Sequence, residues 1–344
     1  NLATDVPIYI LALVIGVYQI FHASINLVTY VLYRKNKIRP RFRLLLDGLV
    51  LVFLGGTSLL SSTGNSVFQL FVLGAYFFLY GVSNIRDGFL FEEEIGKNHL
   101  KRRIRISLPI VLAALIPART LAKINKFMLE NADEEEDIHL GIVKSGKTAE
   151  LEIFVHTAET SLFSAIGHVD ICYQGRVISY GNYDPSSETL FGMVGDGVLY
   201  FCDRDKYIDL CKRESQKTLF GYGIDLTPEM EKAVQKKLAE LKQLTIPWEP
   251  SADKIMTGDG KEDYTYAYKI RHETDGELYK FIKSKFKSYF VLSTNCVLLA
   301  DTIVGQAGTD ILSPKGFIAP GTYQAYLNRE FEKPNSIVVS KHVY

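Results

Sequence analysis

Phe290-Val-Leu-Ser-Thr-Asn-Cys-Val-Leu-Leu-Ala-Asp-Thr-Ile-Val304 joins an apolar, strand-like run to an apolar, helix-like run through a polar Ser-Thr-Asn, and Cys296 stands at the junction. The first turn of a helix offers unpaired backbone N–H groups and the positive end of the dipole, and both favour a thiolate. A thiol so placed needs a base. Upstream, Ile166-Gly-His-Val-Asp-Ile-Cys-Tyr-Gln-Gly-Arg-Val-Ile-Ser-Tyr-Gly-Asn-Tyr-Asp-Pro185 reads as a strand from His168, a turn at Gln174-Gly175 and a returning strand. A Cys/His pair is assembled by the fold, so the distance along the chain is no obstacle.

Around these stretches the pattern is that of an α+β domain. Strands are expected at Glu150 to His156, Gly167 to Tyr173, Arg176 to Asn182, Gly197 to Cys202, Tyr264 to Arg271 and Ser288 to Leu292. Helices are expected at Pro228 to Leu244, with Thr227 as N-cap, and from Cys296 to about Val304. Tyr264-Thr-Tyr-Ala-Tyr268 alternates as one face of a strand. With no net basic charge it reads as sheet packing and not as a nucleic-acid platform. Gly192-Met-Val-Gly-Asp-Gly197 lacks the Lys-Ser/Thr of a phosphate loop and reads as a turn. Cys172, Cys202 and Cys211 have no C-x-x-C spacing, which argues against a zinc site, and are expected to be structural. His156 is a reserve base because it too lies in a strand pattern. His272 and His342 are expected on the surface or in loops.

The first third of the 344 residues is of another kind. Val6 to Tyr33 holds no charged residue, and about 20 apolar residues suffice to span the hydrocarbon core. The uncharged run from Gly48 to Val82 is too long for one span and breaks at Ser61-Ser-Thr-Gly-Asn-Ser66, so two helices joined by a hairpin are expected. Arg34 to Arg43 carries six basic residues and no acid, which sets it in the cytoplasm. Lys101-Arg-Arg-Ile-Arg105 is expected on the same side. Ile106 to Ala118, with Pro109 and Pro117, either crosses with snorkelling flanks or lies on the membrane. A crossing would put the following domain outside the cytoplasm. The division expected is therefore a transmembrane helical domain of three or four spans (1–125), an acidic linker around Asn131 to Asp137 (126–149) and an α+β domain (150–344).

Arg43-Leu-Leu-Leu-Asp-Gly48, Phe53-Leu-Gly-Gly56 and Leu73-Gly-Ala-Tyr-Phe-Phe-Leu-Tyr-Gly-Val-Ser-Asn-Ile-Arg86 resemble the glycine-punctuated helix hairpins of the HdeD-type bacterial membrane family. That resemblance implies a bacterial inner or plasma membrane and assigns no chemistry. The glycines themselves read as packing positions between spans. Gly167-His168-Val-Asp-Ile, Ile178-Ser-Tyr-Gly-Asn-Tyr-Asp184 and Thr294-Asn-Cys296, in that order, resemble the circularly permuted papain-like hydrolases of NlpC type, which include the lecithin:retinol acyltransferase-like proteins. The resemblance implies a papain-like α+β domain in which Cys296 is the nucleophile, His168 its base and a polar residue on the neighbouring strand the orienter of the imidazole. The usual second His is absent from that strand. A tight Gln174-Gly175 turn sets Gly181 opposite His168 and Ser179 and Tyr183 on its face. Asn182 and Asp184 enter if the strand bulges or ends there, and Asn182 ranks first because its amide fixes a tautomer without adding charge.

Asn295 either donates, with the Cys296 N–H, to a developing oxyanion or caps the helix. The function these readings imply is a membrane-anchored cysteine hydrolase, an amidase or peptidase acting through an acyl-enzyme on cell-wall peptides. The alternatives are a lipid acyl hydrolase or acyltransferase of the same fold, and a non-catalytic binding module on a membrane scaffold. Neither a metal nor an organic cofactor is called for. The expected partners are the lipid bilayer and a peptide or acyl substrate, with no nucleic acid.

Overall fold

The computed structural model describes residues 2–60, the single positions 70, 71, 74, 78 and 81, and residues 141–143, 149–156, 168–215, 218–256, 260, 262–305, 320–333 and 336–344. The chain divides into two compact units, Asn1–Ile104 and Arg105–Tyr344, a division earlier than the expected one at residue 125.

The first unit opens with α1 (Leu2–Lys35) and α2 (Phe42–Leu60). Ala12–Lys35 and Phe42–Leu60, 24 and 19 residues, are long and apolar enough to cross a membrane. α2 starts before the uncharged run that announced it. Arg43 and Asp47 sit one turn apart and pair at 3.5 Å, so Arg43, read as connection, belongs to its first turn. The side chains are distributed opposite to a soluble hairpin. Leu13, Val14, Val17 and Phe53 are 55 to 70 % exposed, while Ala23, Gly48, Gly55 and Ser58 are buried between the helices. A Cβ on Gly55 would stand 2.9 Å from Ile20 Cγ1 and 3.0 Å from the Gly16 carbonyl oxygen, so glycine there is what lets the two backbones approach. Among the described residues, Gly16 and Gly48 are likewise met closely by side chains of the facing helix, and nothing lies within 4 Å of Gly56, Gly74 or Gly81. The Ser61–Ser66 break, Lys101–Arg105, Ile106–Ala118 and Asn131–Asp137 lie outside the described residues.

The second unit is built on an antiparallel sheet of nine strands among the described residues, in the order β1-β13-β7-β2-β3-β4-β6-β11-β8. Its first half comprises β1 (Gly141–Val143), β2 (Leu151–His156), β3 (His168–Tyr173), β4 (Arg176–Gly181), β6 (Val198–Asp203) and β7 (Leu219–Ile224). β8 (Thr245–Pro247), β11 (Glu277–Phe281) and β13 (Val338–Val343) complete it. Two small ribbons stand apart: β5 (Val194–Asp196) with β12 (Ser288–Phe290), and β9 (Lys254–Met256) with β10 (Glu262–Tyr264). The helices are α3 (Arg204–Ser215), α4 (Pro228–Lys242), α5 (Tyr266–Glu273), α6 (Cys296–Val304) and α7 (Pro320–Glu332). β1 falls inside the stretch expected to be linker. It pairs with the C-terminal β13, a long-range partner that local composition does not reveal.

Local chemistry explains the elements that position the site. Gln174 and Gly175 take φ of 51° and 73°, the left-handed pair of a two-residue hairpin, and so set β3 against β4. Thr227 caps α4 by accepting from the Met230 N–H, with Pro228 in the first turn. The strand expected from Tyr264 is instead a helix. Thr265 accepts from the Tyr268 N–H and starts α5, and rings four residues apart meet, Tyr264 stacked on Tyr268 at 4.3 Å and Tyr268 tilted against His272 at 4.1 Å. Aromatics at spacings of two satisfied a strand pattern, but a capped turn with i,i+4 stacking won.

Candidate active site

α6 begins at Cys296, as its sequence implied. Asn295 is its N-cap: Oδ1 accepts from the Leu298 N–H at 3.1 Å, and Nδ2 donates to the Val291 carbonyl at 3.0 Å. Of the two readings of Asn295, the cap is the one the geometry displays, since both ends of its amide serve the loop. The Cys296 residue is 3 % exposed, and its thiol meets His168 and the hydroxyl of Tyr289. Burial, reinforced by the adjacent Cys296, pushes the Tyr289 hydroxyl well above its ordinary pKa, so it stays an O–H donor to the sulfur.

His168 opens β3 with its side chain 26 % exposed. Its Nε2 lies 2.8 Å from Asp170 Oδ1, 2.9 Å from Ser179 Oγ and 3.0 Å from the Tyr183 hydroxyl. The contact with Asp170 is Coulombic, because Oδ1 accepts no aligned hydrogen bond. Burial alone would depress the imidazole, but Asp170 and Cys296 outweigh it and hold His168 well above the ordinary histidine pKa. Asp170 is fully buried. Burial pushes its carboxyl up, and His168 and His156 pull it further down, so the net result is a carboxylate held well below the usual range.

Asp170 is the residue that sequence reasoning missed. The signal was present, since His168-Val-Asp170 on a strand puts both side chains on one face. Its Oδ2 receives two further donors, His156 Nε2 at 2.7 Å and the Tyr207 hydroxyl at 2.5 Å from α3. His156 is directly opposite His168 in the β2–β3 register, with ring centroids 5.5 Å apart. The reserve base thus reaches the same carboxylate from the neighbouring strand.

The first choice for the orienting residue is corrected. Asn182 Nδ2 donates to the Gly192 carbonyl at 3.5 Å, and its carboxamide lies over Gly195, where a Cβ would come within 2.0 Å of Oδ1. It braces the loop before β5, while the groups around His168 Nε2 are Asp170, Ser179 and Tyr183. Asp184 likewise turns away, to Lys280 Nζ at 2.5 Å. Ser179 and Tyr183 do share the face of His168, as a tight Gln174-Gly175 turn requires.

The remaining cysteines are buried thiols. Burial first, and then the neighbouring Glu152, pushes Cys172 up to about 12; burial and Asp170 push Cys211 up to about 12. Cys202 is raised as well, chiefly by burial. His272, on α5, is exposed, in keeping with the surface position expected, and His342 is partly buried on β13. Of the Gly192 to Gly197 run expected to be a turn, only its start is one: Gly192 has φ of 80° in a turn, and Val194–Asp196 is β5, paired with β12. Among the described residues no cluster of His, Cys, Asp and Glu has the arrangement of a metal site.

Comparison of the chain with protein-family models, with curated proteins and with solved structures finds no match.

Proposed function

We propose that this chain is a membrane-associated cysteine hydrolase whose reacting groups are Cys296 and His168, with Asp170 as the positioning carboxylate. The observation that carries the reading is one line of contacts. The thiol that starts α6 meets His168, and the imidazole Nε2 stands 2.8 Å from a buried, ionised Asp170. An imidazole held well above its ordinary pKa takes the thiol proton readily and then stands as the acid for the leaving group.

In the reaction proposed, the Cys296 sulfur adds to an acyl carbonyl while its proton passes to His168. Collapse of the tetrahedral adduct breaks the bond to the leaving amine or alkoxide, which takes the proton from His168 and leaves a thioester. His168 then removes a proton from water as the water attacks the thioester, and Cys296 departs with that proton. The Cys296 N–H, in the first turn of α6, is the backbone donor available to the oxyanion. Asp170 stabilises the imidazolium at each stage without itself taking a proton.

The likeness of Gly167-His168, Ile178 to Asp184 and Thr294-Asn-Cys296 to permuted papain-like hydrolases supports the same chemistry and a peptide amide as the acyl donor. The two helices apolar enough to cross a membrane support a membrane address. We further infer that the sheet domain faces away from the cytoplasm, on the strength of the basic Arg34 to Arg43 and Lys101 to Arg105 segments, two spans between them and one crossing from Ile106 onwards.

The test is labelling of the full chain with an iodoacetamide probe, with mass spectrometry of the adduct. Selective labelling of Cys296 at neutral pH, lost in His168→Ala, is the expected result. Equal inertness of all four thiols in native protein would overturn the reading. Release of amines from peptides, set against release of fatty acid from lipids, identifies the acyl donor.

A further inference from the structure

Thr189-Leu-Phe-Gly-Met-Val194 carries no charged residue, and it turns through an unusual backbone. Leu190, Phe191 and Gly192 have φ of 50°, 58° and 80°, so two bulky residues are held in the left-handed region that favours glycine. The turn is closed from within. Thr189 and Val194 exchange both backbone hydrogen bonds, at 2.8 and 3.2 Å, and the Met193 N–H donates to the Leu190 carbonyl at 3.2 Å. What this arrangement achieves is display, since Phe191 is 93 % exposed and Leu190 50 %.

The tip is connected to the reacting thiol. β5, which follows it, pairs with β12, and the Val291 N–H donates to the Met193 carbonyl at 3.0 Å. Val291 in turn accepts from Asn295, the residue before Cys296. The displayed hairpin and the nucleophile's loop are therefore one hydrogen-bonded unit.

We propose that the Leu190–Phe191 tip inserts into the headgroup–acyl boundary of a lipid bilayer. Two side chains are far too little surface for a specific protein partner, which needs roughly 800 Å² on each side. A lipid interface, by contrast, accepts a small uncharged wedge whose turn is closed by its own backbone hydrogen bonds between Thr189 and Val194 and from Met193 to Leu190. The same chain carries α1 and α2, long and apolar enough to span, so the bilayer is held at high effective concentration and one shallow wedge suffices. Glu188 limits the depth: its Oε2 is 3.4 Å from the place of a Cβ on Gly192, so a carboxylate lies beside the turn and keeps the insertion at the level of the headgroups. If the proposed hydrolase reading holds, the insertion brings Cys296 to substrates at the membrane surface, but the insertion does not depend on that reading.

The experiment uses the full chain in phosphatidylcholine vesicles, with Phe191→Trp and with the single native tryptophan removed by Trp248→Phe. Lipid brominated on its acyl chains is expected to quench the introduced indole at least twofold relative to unbrominated lipid, and to do so equally in a Cys296→Ala background. Emission unaffected by bromolipid, with acrylamide quenching as for a water-exposed indole, would overturn the proposal. Should Trp248→Phe unfold the protein, the difference in quenching between Phe191→Trp and its parent gives the same answer. Quenching without labelling of Cys296 leaves the insertion standing and removes the hydrolase; labelling without quenching does the reverse.

Discussion

The two faces of the nine-stranded sheet are made by the same strands and do different work. Along β3, Val169, Ile171 and Tyr173 join an aliphatic core with Ile153, Ile178 and Leu199, closed by Val234 of α4 and by Leu299 and Ile303 of α6. The alternate residue Cys172 joins Phe154, Val177, Tyr200 and Cys202 under Tyr207 and Cys211 of α3 and Ile270 of α5. His156 and Tyr207 are hydrogen-bonded to Asp170 on that second side, and Ser179 is hydrogen-bonded to His168 and Tyr183. Period-two alternation thus separates dry packing from titratable groups by one residue, and a register slip of one would exchange them. Cys296 starts a helix of the aliphatic side and meets His168, which belongs with the polar one. The reacting pair stands where the two regimes join.

Removing the imidazole should break the comparison most severely. His168→Ala is expected to slow alkylation of Cys296, and any turnover, by about a thousandfold, equivalent to roughly 4 kcal/mol. Cys172 and Cys211, pushed up to about 12, should take up no label at neutral pH in either protein. Thermal melts of His168→Gln test the polar side by its pH dependence. A raised folded pKa contributes stability that is complete below the ordinary histidine value, about 6.5, and is lost as pH rises through the raised one. The gap in Tm between wild type and variant should therefore be widest in mild acid and close on the alkaline side. A gap that widens with pH would mean that the imidazole is held neutral.

Ile171→Ala and Tyr207→Phe compare the two faces directly. The first opens a cavity in the aliphatic core and should cost about 3 kcal/mol at any pH, read by denaturant unfolding. The second removes the hydroxyl from Asp170 while keeping the ring, and should cost about 2 kcal/mol at neutral pH. Because the folded carboxyl is depressed, that contribution is present above the ordinary value of about 3.9 and is lost as pH falls toward the depressed one. A pH-independent cost for Tyr207→Phe would mean that its hydroxyl only packs.

What the sequence disclosed was local. The Gln174-Gly175 turn, the Thr227-Pro228 helix start and the Asn295-Cys296 cap depend on neighbours in the chain, and each was legible from residue type. The pair His168 and Cys296 followed from placing two such local features in one fold. β1, β7 and β13 were missed because their pairing is long-range. In β7, Leu219-Phe-Gly-Tyr-Gly-Ile224, the glycines weaken the strand signal, and a Cβ on Gly221 or Gly223 would run into Glu152 of β2 or Ser340 of β13. Asp170 was missed for another reason. The orienting group was sought across the hairpin, on β4, whereas the residue two further along β3 already shared the face of His168.

The smallest effect bears most directly on that error. Were Asn182 the group that orients His168, Asn182→Ala would slow alkylation of Cys296 by a hundredfold or more, in the manner of a lost triad member. Its carboxamide instead braces Gly192 and Gly195, with Nδ2 to a carbonyl at 3.5 Å and Oδ1 buried with no hydrogen-bond donor among the described residues. One long hydrogen bond, set against the relief of a buried unsatisfied oxygen, amounts to about 1 kcal/mol or less, so a change of no more than a few fold is expected. The comparison is rate against rate, Asn182→Ala beside Asp170→Asn, with circular dichroism confirming that both are folded. A large loss in the first and a small one in the second would move the orienting role from β3 to the end of β4 and with it the proton path. The opposite ranking ties the chemistry to the alternation of a single strand.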